Sequence, residues 1–318
     1  MQELLVTTDP VLLSRVKARL ADAGIAVVTF DAPMLSSDGA SGAPPQRLMV
    51  EGGAVETARR LIAPADHADS GQGAPDVSLD HLLGGRVRLA QPRRGYRVAI
   101  DAVLLAAAVA ARPGERVLEL GTGVGASALC LAARLPAVSV TGLERQPGLA
   151  ALAVANVAAN GVTGRVGVVT GDLRCPPPEL RPGAFDWVMA NPPYLRAGAH
   201  TPSPDPSRAA ANGEGEAELA DWIAAAARMV RPRGQIALIH RADRLDEAIA
   251  LLHKEFGALV LFPLWPRAGC AAKRVVLTAR LGAASPARLA PGLVLHGAGG
   301  GFTAGAEAVL RDGGGLEL

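Results

Sequence analysis

The stretch RVLELGTGVGASALCLAARL, residues 116–135, decides the fold. Val117 to Leu120 is a short, mostly apolar run of the kind found in strands covered on both faces. Gly121, Gly123 and Gly125 then permit positive φ and close approach of backbone to a ligand. From Ala126 onward Ala and Leu dominate, which favours a helix. Strand, glycine turn and helix open a parallel βαβ unit, and the helix N-terminus offers free N–H groups to a ligand. The next strand ends at Glu144 in TGLERQ, where a carboxylate can accept hydrogen bonds from two ribose hydroxyls. The pairing points to a nucleoside cofactor without saying which. Gly121, Gly123 and Ala126 also satisfy the dinucleotide pattern G-x-G-x-x-G/A, with Glu144 at about the expected distance downstream.

Outward from this unit, strands near 116–120, 137–143, 165–170 and 184–190 alternate with helices near 124–135 and 147–160. Such alternation means parallel βαβ units in a doubly wound α/β sheet. A helix near 217–230, a strand over 234–240, a helix over 243–256 and an antiparallel pair at 258–264 and 273–280 complete it. Upstream, GRVRLAQPRRGYRVAI predicts a hairpin around Pro92 to Gly95, followed by a helix capped by Asp101. The first 64 residues read differently, as strands at 3–8, 25–30 and 46–50 with helices over 9–24 and 53–63. That order, β-α-β-β-α, fits a small α+β ferredoxin-like unit. The expected organisation is therefore a ferredoxin-like domain over 1–64 and a linker over 65–80. A seven-stranded, mostly parallel Rossmann-like domain follows over 81–282, then a Gly- and Ala-rich tail over 283–318 with a short helix.

Composition bounds the function. The chain has 318 residues, 49% of them hydrophobic but only 3% aromatic, so its core is built from Ala, Val and Leu. A net charge of +2 excludes a wholly basic nucleic-acid binder and leaves local patches open. Arg86, Arg88, Arg93, Arg94 and Arg97 form one acid-free cluster, and Arg267, Lys273 and Arg274 another. Phosphate contacts by such groups give a salt-dependent affinity. A solvated hairpin face explains the first cluster equally well. Cys130, Cys175 and Cys270 form no CxxC or Cys/His cluster, so neither a disulfide framework nor a metal site is expected. The sequence shows no export signal and no apolar run of 18 residues, which predicts a soluble, cytoplasmic protein away from membranes.

The fourth strand runs into Asn191-Pro192-Pro193-Tyr194 in VMANPPYL, residues 188–195. The prolines cannot continue a sheet interior, so the motif is a stiff exit at the edge where α/β sheets bind ligands. The three preceding strands end near acids, Glu119, Glu144 and Asp172. A negative charge at Glu119 disfavours a pyrophosphate and favours a cofactor ammonium. Asp172 can accept a hydrogen bond from an adenine amino group. As a set, these residues resemble the class I S-adenosylmethionine-dependent methyltransferases. The resemblance implies S-adenosyl-L-methionine beside Glu119, Gly121, Thr122, Gly123, Gly125, Glu144, Asp172, Leu173 and Asn191, with no metal. It also implies methyl transfer to an amine conjugated with a π system. Asn191 and Pro192 would hold its N–H groups, Pro193 would stiffen the turn, and Tyr194 would stack on the target, a contact worth roughly 1–3 kcal/mol for a base.

GYRVAIDAVLLAAAV, residues 95–109, and LWPRAGCAAKRVVLTAR, residues 264–280, resemble the bacterial tRNA (adenine-N6) methyltransferases that modify valine tRNA beside the anticodon. The similarity runs from about Leu82 to Gly282. It implies that Tyr96, Arg97 and Asp101 border the cofactor, that tRNA is the partner and that the two basic clusters meet it. Residues 1–63 resemble a small bacterial domain described as a signal-transducing module, a fusion that departs from the plain tRNA enzyme. Release-factor glutamine methyltransferases also carry NPPY, and DPSRAAANGEGE, residues 205–216, is faintly like a segment of theirs. Those enzymes lead with a helical domain instead. A cytosine-C5 enzyme needs a nucleophilic Cys, and Cys175 lies away from NPPY. An NAD oxidoreductase needs a catalytic His, Lys or Tyr that the sequence does not locate. A non-catalytic cofactor sensor is the remaining alternative, against which the intact NPPY speaks. His240 reads as a satisfied residue at a strand end.

Overall fold

The computed structural model describes residues 2–7, 20, 23, 25–31, 46–55, 57–58, 77–93, 97–194 and 217–318. The expected helix over 9–24 apart from Leu20 and Ala23, most of the expected linker, Arg94, Tyr96 and residues 205–216 lie outside them. The chain divides into two compact units, Met1–Ala74 and Pro75–Leu318.

In the first unit β1 (Gln2–Thr7), β2 (Val27–Asp31) and β3 (Gln46–Val50) form one sheet with β3 in the middle, antiparallel to both neighbours. β1 and β2 therefore run parallel with a strand between them, the split arrangement of a ferredoxin-like unit. Leu20, Leu48, Val50, Val55 and Ala58 form its buried core.

The second unit opens with a hairpin, β4 (Val77–Leu82) paired antiparallel to β5 (Val87–Pro92). Its turn is not at Pro92 to Gly95, as the sequence predicts, but at residues 83–86. Leu83, Gly84 and Gly85 all have positive φ there, a backbone that the glycine pair makes accessible. Residues 77–80, expected at the end of a linker, are strand. Buried Asn156 pins the hairpin, its amide accepting from Ala90 N and donating to the carbonyls of Ala90 and Val124.

The main sheet holds β6 (Arg116–Leu120), β7 (Ser139–Glu144), β8 (Val166–Thr170), β9 (Phe185–Ala190), β10 (Val230–Arg241), β11 (Phe256–Arg267) and β12 (Arg274–Leu281). Their order is β8-β7-β6-β9-β10-β12-β11; β6 to β10 run parallel and β12 is antiparallel to both neighbours. Those are the seven expected strands. Two more, β13 (Arg288–Leu289) and β14 (Leu293–His296), add in parallel to β11, so part of the segment 283–318 extends the sheet, and the expected short helix follows at Ala304–Leu310. Each apolar piece there is too short to show a period, and pairing with β11 makes it a strand.

Helices α1 (Asp101–Ala108), α2 (Ala126–Arg134), α3 (Pro147–Ala159), α4 (Leu219–Met229), α5 (Leu245–Leu252) and α6 (Ala304–Leu310) cover the sheet. Alternation along the strands divides the core. Val117, Val140, Trp187, Met189 and Ile239 pack with α1 and α2, whereas Leu118, Leu120, Val188, Leu238 and Leu277 pack with α4 and α5. Both faces are buried, which is why these strands read as nearly unbroken apolar runs.

Candidate active site

The turn between β6 and α2 needs its glycines for two reasons. Gly121, Gly123 and Gly125 have φ of 64°, 57° and 86°, the left-handed region that side chains disfavour. A Cβ on Gly121 would also stand 2.4 Å from Cη2 of Trp222, a residue of α4 that sequence reasoning did not single out. Thr122 fastens the turn, its N–H donating to Leu143 O at 3.0 Å and its hydroxyl to Glu119 Oε2 at 2.5 Å. Ala128 N donates to the same oxygen at 3.1 Å. Glu119 thus braces the loop from beneath. Burial pushes its carboxyl up to about 7, against the opposing hydrogen bonds of Thr122, Ser127 and Ala128.

Glu144 Oε2 accepts from Gly123 N at 2.8 Å and Oε1 from Gln146 N at 2.9 Å. Each carboxylate oxygen keeps lone-pair capacity for a ligand. Asp172 accepts from the Arg174 backbone N–H and guanidinium, both at 2.8 Å, and the Arg174 side chain holds its carboxyl below the usual range.

A cavity of about 180 Å³ lies at the C-terminal ends of β6, β7, β8 and β9. Glu144, Gln146, Leu149, Asp172 and Leu173 line one part of it, and Val98, Asn191 to Tyr194 and Trp222 another. Glu119, Gly121, Thr122 and Gly123 line it as well. Gly125 is absent from the lining and forms the N-cap of α2. Asp101, expected to border the cofactor, is absent too, although its neighbour Ala102 lines the cavity.

The Asp101 carboxylate points instead to Tyr194, whose hydroxyl donates to Oδ2, and Arg274 Nε donates to the same oxygen at 3.2 Å. The Arg274 guanidinium carbon lies 4.3 Å from the centroid of the Tyr194 ring, within cation–π range. The His240 ring stands 5.7 Å from it. Three buried polar sites nearby lack a hydrogen-bond partner among the described residues: Asn191 Oδ1, Trp222 Nε1 and both ring nitrogens of His240. His240 is therefore not the satisfied strand-end residue the sequence suggested. Burial, assisted by the charge of Arg244, lowers its pKa to about 4, so the ring is neutral at pH 7.

The basic clusters are less open than their spacing implies. Arg86 donates to the carbonyls of Leu83 and Arg311, Arg88 to that of Ala159, and Arg97 to Ser78 and Asp80. Arg274 is committed to Asp101. Arg267 and Lys273, which flank the turn between β11 and β12, are exposed. Among the described residues, no group of three or more His, Cys, Asp or Glu is placed to hold a metal ion. Among them, no helix is long and apolar enough to cross a membrane.

Comparison with known proteins gives this geometry a family. Residues 97–261 match the profile described as "Methyltransferase small domain", and residues 1–66 that described as "Putative prokaryotic signal transducing protein". The chain is similar to the tRNA1(Val) (adenine(37)-N6)-methyltransferase of Porphyromonas gingivalis, at 36% identity over 157 residues, 48% of this chain and 61% of that protein. It matches the enzyme of that name from Aeromonas salmonicida at 30% identity over 66% of this chain and 87% of the relative. The release factor glutamine methyltransferase of Mycolicibacterium smegmatis is 33% identical over 70% of this chain and 81% of its own length. The crystal structure of a predicted O-methyltransferase from Agrobacterium tumefaciens aligns with a TM-score of 0.57 at 28% identity, covering 68% of this chain and 98% of that one. With a family match over more than half its length and a cavity at the strand ends where α/β folds bind ligands, the chain belongs to the small-domain family of S-adenosylmethionine-dependent methyltransferases.

Proposed function

We propose that the protein methylates an amine conjugated with a π system, N6 of an adenine in tRNA. The observation that carries the reading is Asn191 Oδ1, a buried acceptor in the lining of the cavity at the strand ends, with no partner among the described residues. Leaving such a group unmade costs about 1–3 kcal/mol, and native proteins keep few of them. A target N–H completes it.

An amine of this kind is a poor nucleophile because its lone pair is delocalised. Asn191 Oδ1 and the Pro192 carbonyl accept its two N–H groups and turn the lone pair out of conjugation. Pro192 and Pro193 fix those acceptors in advance, so little reorganisation is needed at the moment of reaction. Bound S-adenosylmethionine supplies an electrophilic methyl group on a sulfonium. The electrons of the broken C–S bond would leave with the sulfur and the amine proton would pass to water, so the residues here need only hold and orient the amine. Tyr194 stacks on the target, with one face of its ring already covered by Arg274.

The chain's own donors and acceptors fit the cofactor. Glu144 takes the ribose hydroxyls, Asp172 and Leu173 the adenine, and the backbone of Gly121 to Gly123 the amino-acid end. Glu119, beneath that loop, favours an ammonium above it. Gly125 serves by starting α2.

The tRNA substrate is supported by the Porphyromonas and Aeromonas relatives, whose names state that activity, and by exposed Arg267 and Lys273. A second reading, methylation of a protein glutamine, is supported by the Mycolicibacterium relative, since a glutamine amide is conjugated too. Incubation with methyl-labelled cofactor and separate pools of unmodified tRNA and release factors distinguishes them. N6-methyladenosine in tRNA is expected. Label confined to protein glutamine overturns the RNA reading in favour of the second.

A further inference from the structure

We infer that Trp222 binds the cofactor's carboxylate through its indole N–H and so selects for a ligand that carries an intact amino-acid end. The inference rests on S-adenosylmethionine as cofactor and not on tRNA as substrate. Trp222 is 9% exposed, lines the cavity at the strand ends, and its Nε1 is a buried donor with no acceptor among the described residues. Indole N–H groups are donors only, so an acceptor brought by a ligand completes this one.

The position of the ring decides which acceptor. Cη2 and Cζ3 of Trp222 abut the site of the missing Cβ of Gly121, at the head of the glycine loop. Glu144, Asp172 and Leu173 lie at the ends of β7 and β8, whereas α4 packs against β6, β9 and β10. Trp222 therefore stands with Asn191 and Gly121, away from the acids that suit ribose and adenine. The cofactor groups expected beside Gly121 are a sulfonium, an ammonium and a carboxylate. The first two are cations, which an N–H dipole repels. The carboxylate is an acceptor that Glu144 disfavours, and Trp222 offers it a neutral donor. Gly121 and Trp222 then form one device, since without a Cβ at residue 121 the ring can close over the loop.

Calorimetric titration of the full chain with S-adenosylhomocysteine and with 5′-methylthioadenosine, which lacks the amino-acid end, tests this. Trp222→Phe removes the N–H and keeps an aromatic ring. It is expected to weaken S-adenosylhomocysteine about 10-fold or more, the scale of a hydrogen bond to a charged group, and to leave 5′-methylthioadenosine within about twofold. Equal weakening of both ligands, or of neither, overturns the inference. Should Trp222→Phe fail to fold, the wild-type chain still decides. It has three tryptophans, and Trp187→Phe and Trp265→Phe assign the remaining indole signal in a nitrogen-15 spectrum. That N–H is expected to shift downfield with S-adenosylhomocysteine and to move little with 5′-methylthioadenosine; an identical response to both refutes the contact.

Discussion

Tyr194 donates its hydroxyl hydrogen to the carboxylate of Asp101, which ties the exit of β9 to the first turn of α1. Arg274 of β12 donates to the same oxygen and covers the ring, so three elements far apart in sequence orient one phenol. Asp101→Asn keeps an acceptor but removes the charge that strengthens both bonds. Turnover is expected to fall about 10-fold as the ring loses its orientation. Affinity for S-adenosylhomocysteine stays within about twofold, because Asp101 is not part of the cavity lining. Steady-state kinetics beside calorimetry measures both; a matching loss of cofactor affinity contradicts the assignment.

Asn191→Ala removes the acceptor proposed to hold the target amine. A preorganised polar contact of this kind is worth about 10²–10³ in kcat. Because its Oδ1 is buried without a partner among the described residues, the substitution also relieves an unsatisfied group, so thermal stability is expected to hold or rise. Activity equal to wild type in a labelled-methyl assay removes Asn191 from the mechanism.

Much of this site is legible in the sequence, because each strand end announces itself by a break in an apolar run. Gly121 follows Leu120, Asn191 follows Ala190, and Glu144 closes β7. What stays hidden is contact between distant segments. Nothing in LADWIAAAARM reveals that Trp222 lies on Gly121, since a lone aromatic in an apolar helix looks like any core residue. Arg274 reads as surface charge and turns inward because β12 delivers it to Asp101. The hairpin is misplaced for a local reason: Pro92-Arg93-Arg94-Gly95 has turn chemistry, yet Leu83 to Gly85 take the left-handed backbone. Pro92 instead ends β5, where a missing N–H costs nothing.

Gly121 and Gly123 separate the two demands on the loop. Both have positive φ, but a Cβ meets Trp222 at 2.4 Å on Gly121 and nothing within 4 Å on Gly123. Gly123→Ala pays backbone strain of about 1–2 kcal/mol. Gly121→Ala pays that and must displace the indole as well, with a total of about 2–4 kcal/mol. Chemical denaturation ranks the two variants, and the reverse order refutes the steric account.

Opposed buried titrations shape the pH dependence of stability. His240 is fully buried and its pKa falls from 6.5 to about 4, chiefly by burial, with Arg244 and Arg274 lowering it and Glu247 and Asp243 opposing. Between those values the unfolded chain holds the extra proton, so His240 makes stability rise with pH. Glu119 is raised from 4.5 to about 7. Between those values the folded chain holds the extra proton, so Glu119 makes stability fall as pH rises. Each slope is about 1.4 kcal/mol per pH unit, and from pH 4.5 to 6.5 they cancel. Glu119→Gln is expected to leave a stability that climbs with pH in that window, and His240→Leu one that declines. Urea unfolding at half-unit steps reads the slopes, and parallel profiles for the two variants contradict the buried pair.

Exposed and committed cations predict different responses of RNA affinity to salt. Each phosphate contact contributes about 0.7–0.9 to the slope of log K against log salt concentration. Arg267 and Lys273 are exposed on either side of the turn that leads to Arg274 and Tyr194. Replacing both with Ala is expected to lower the magnitude of the slope by about 1.5 and to weaken binding at low salt. Arg97 already spends its guanidinium on Asp80 and Ser78. Arg97→Ala is therefore expected to loosen the β4–β5 hairpin, seen as a lower melting temperature, while the salt slope stays near that of wild type. Fluorescence anisotropy of labelled tRNA across a salt series separates the two. An unchanged slope in the double variant, with a large change in Arg97→Ala, moves the RNA contact from the β11–β12 turn to the hairpin.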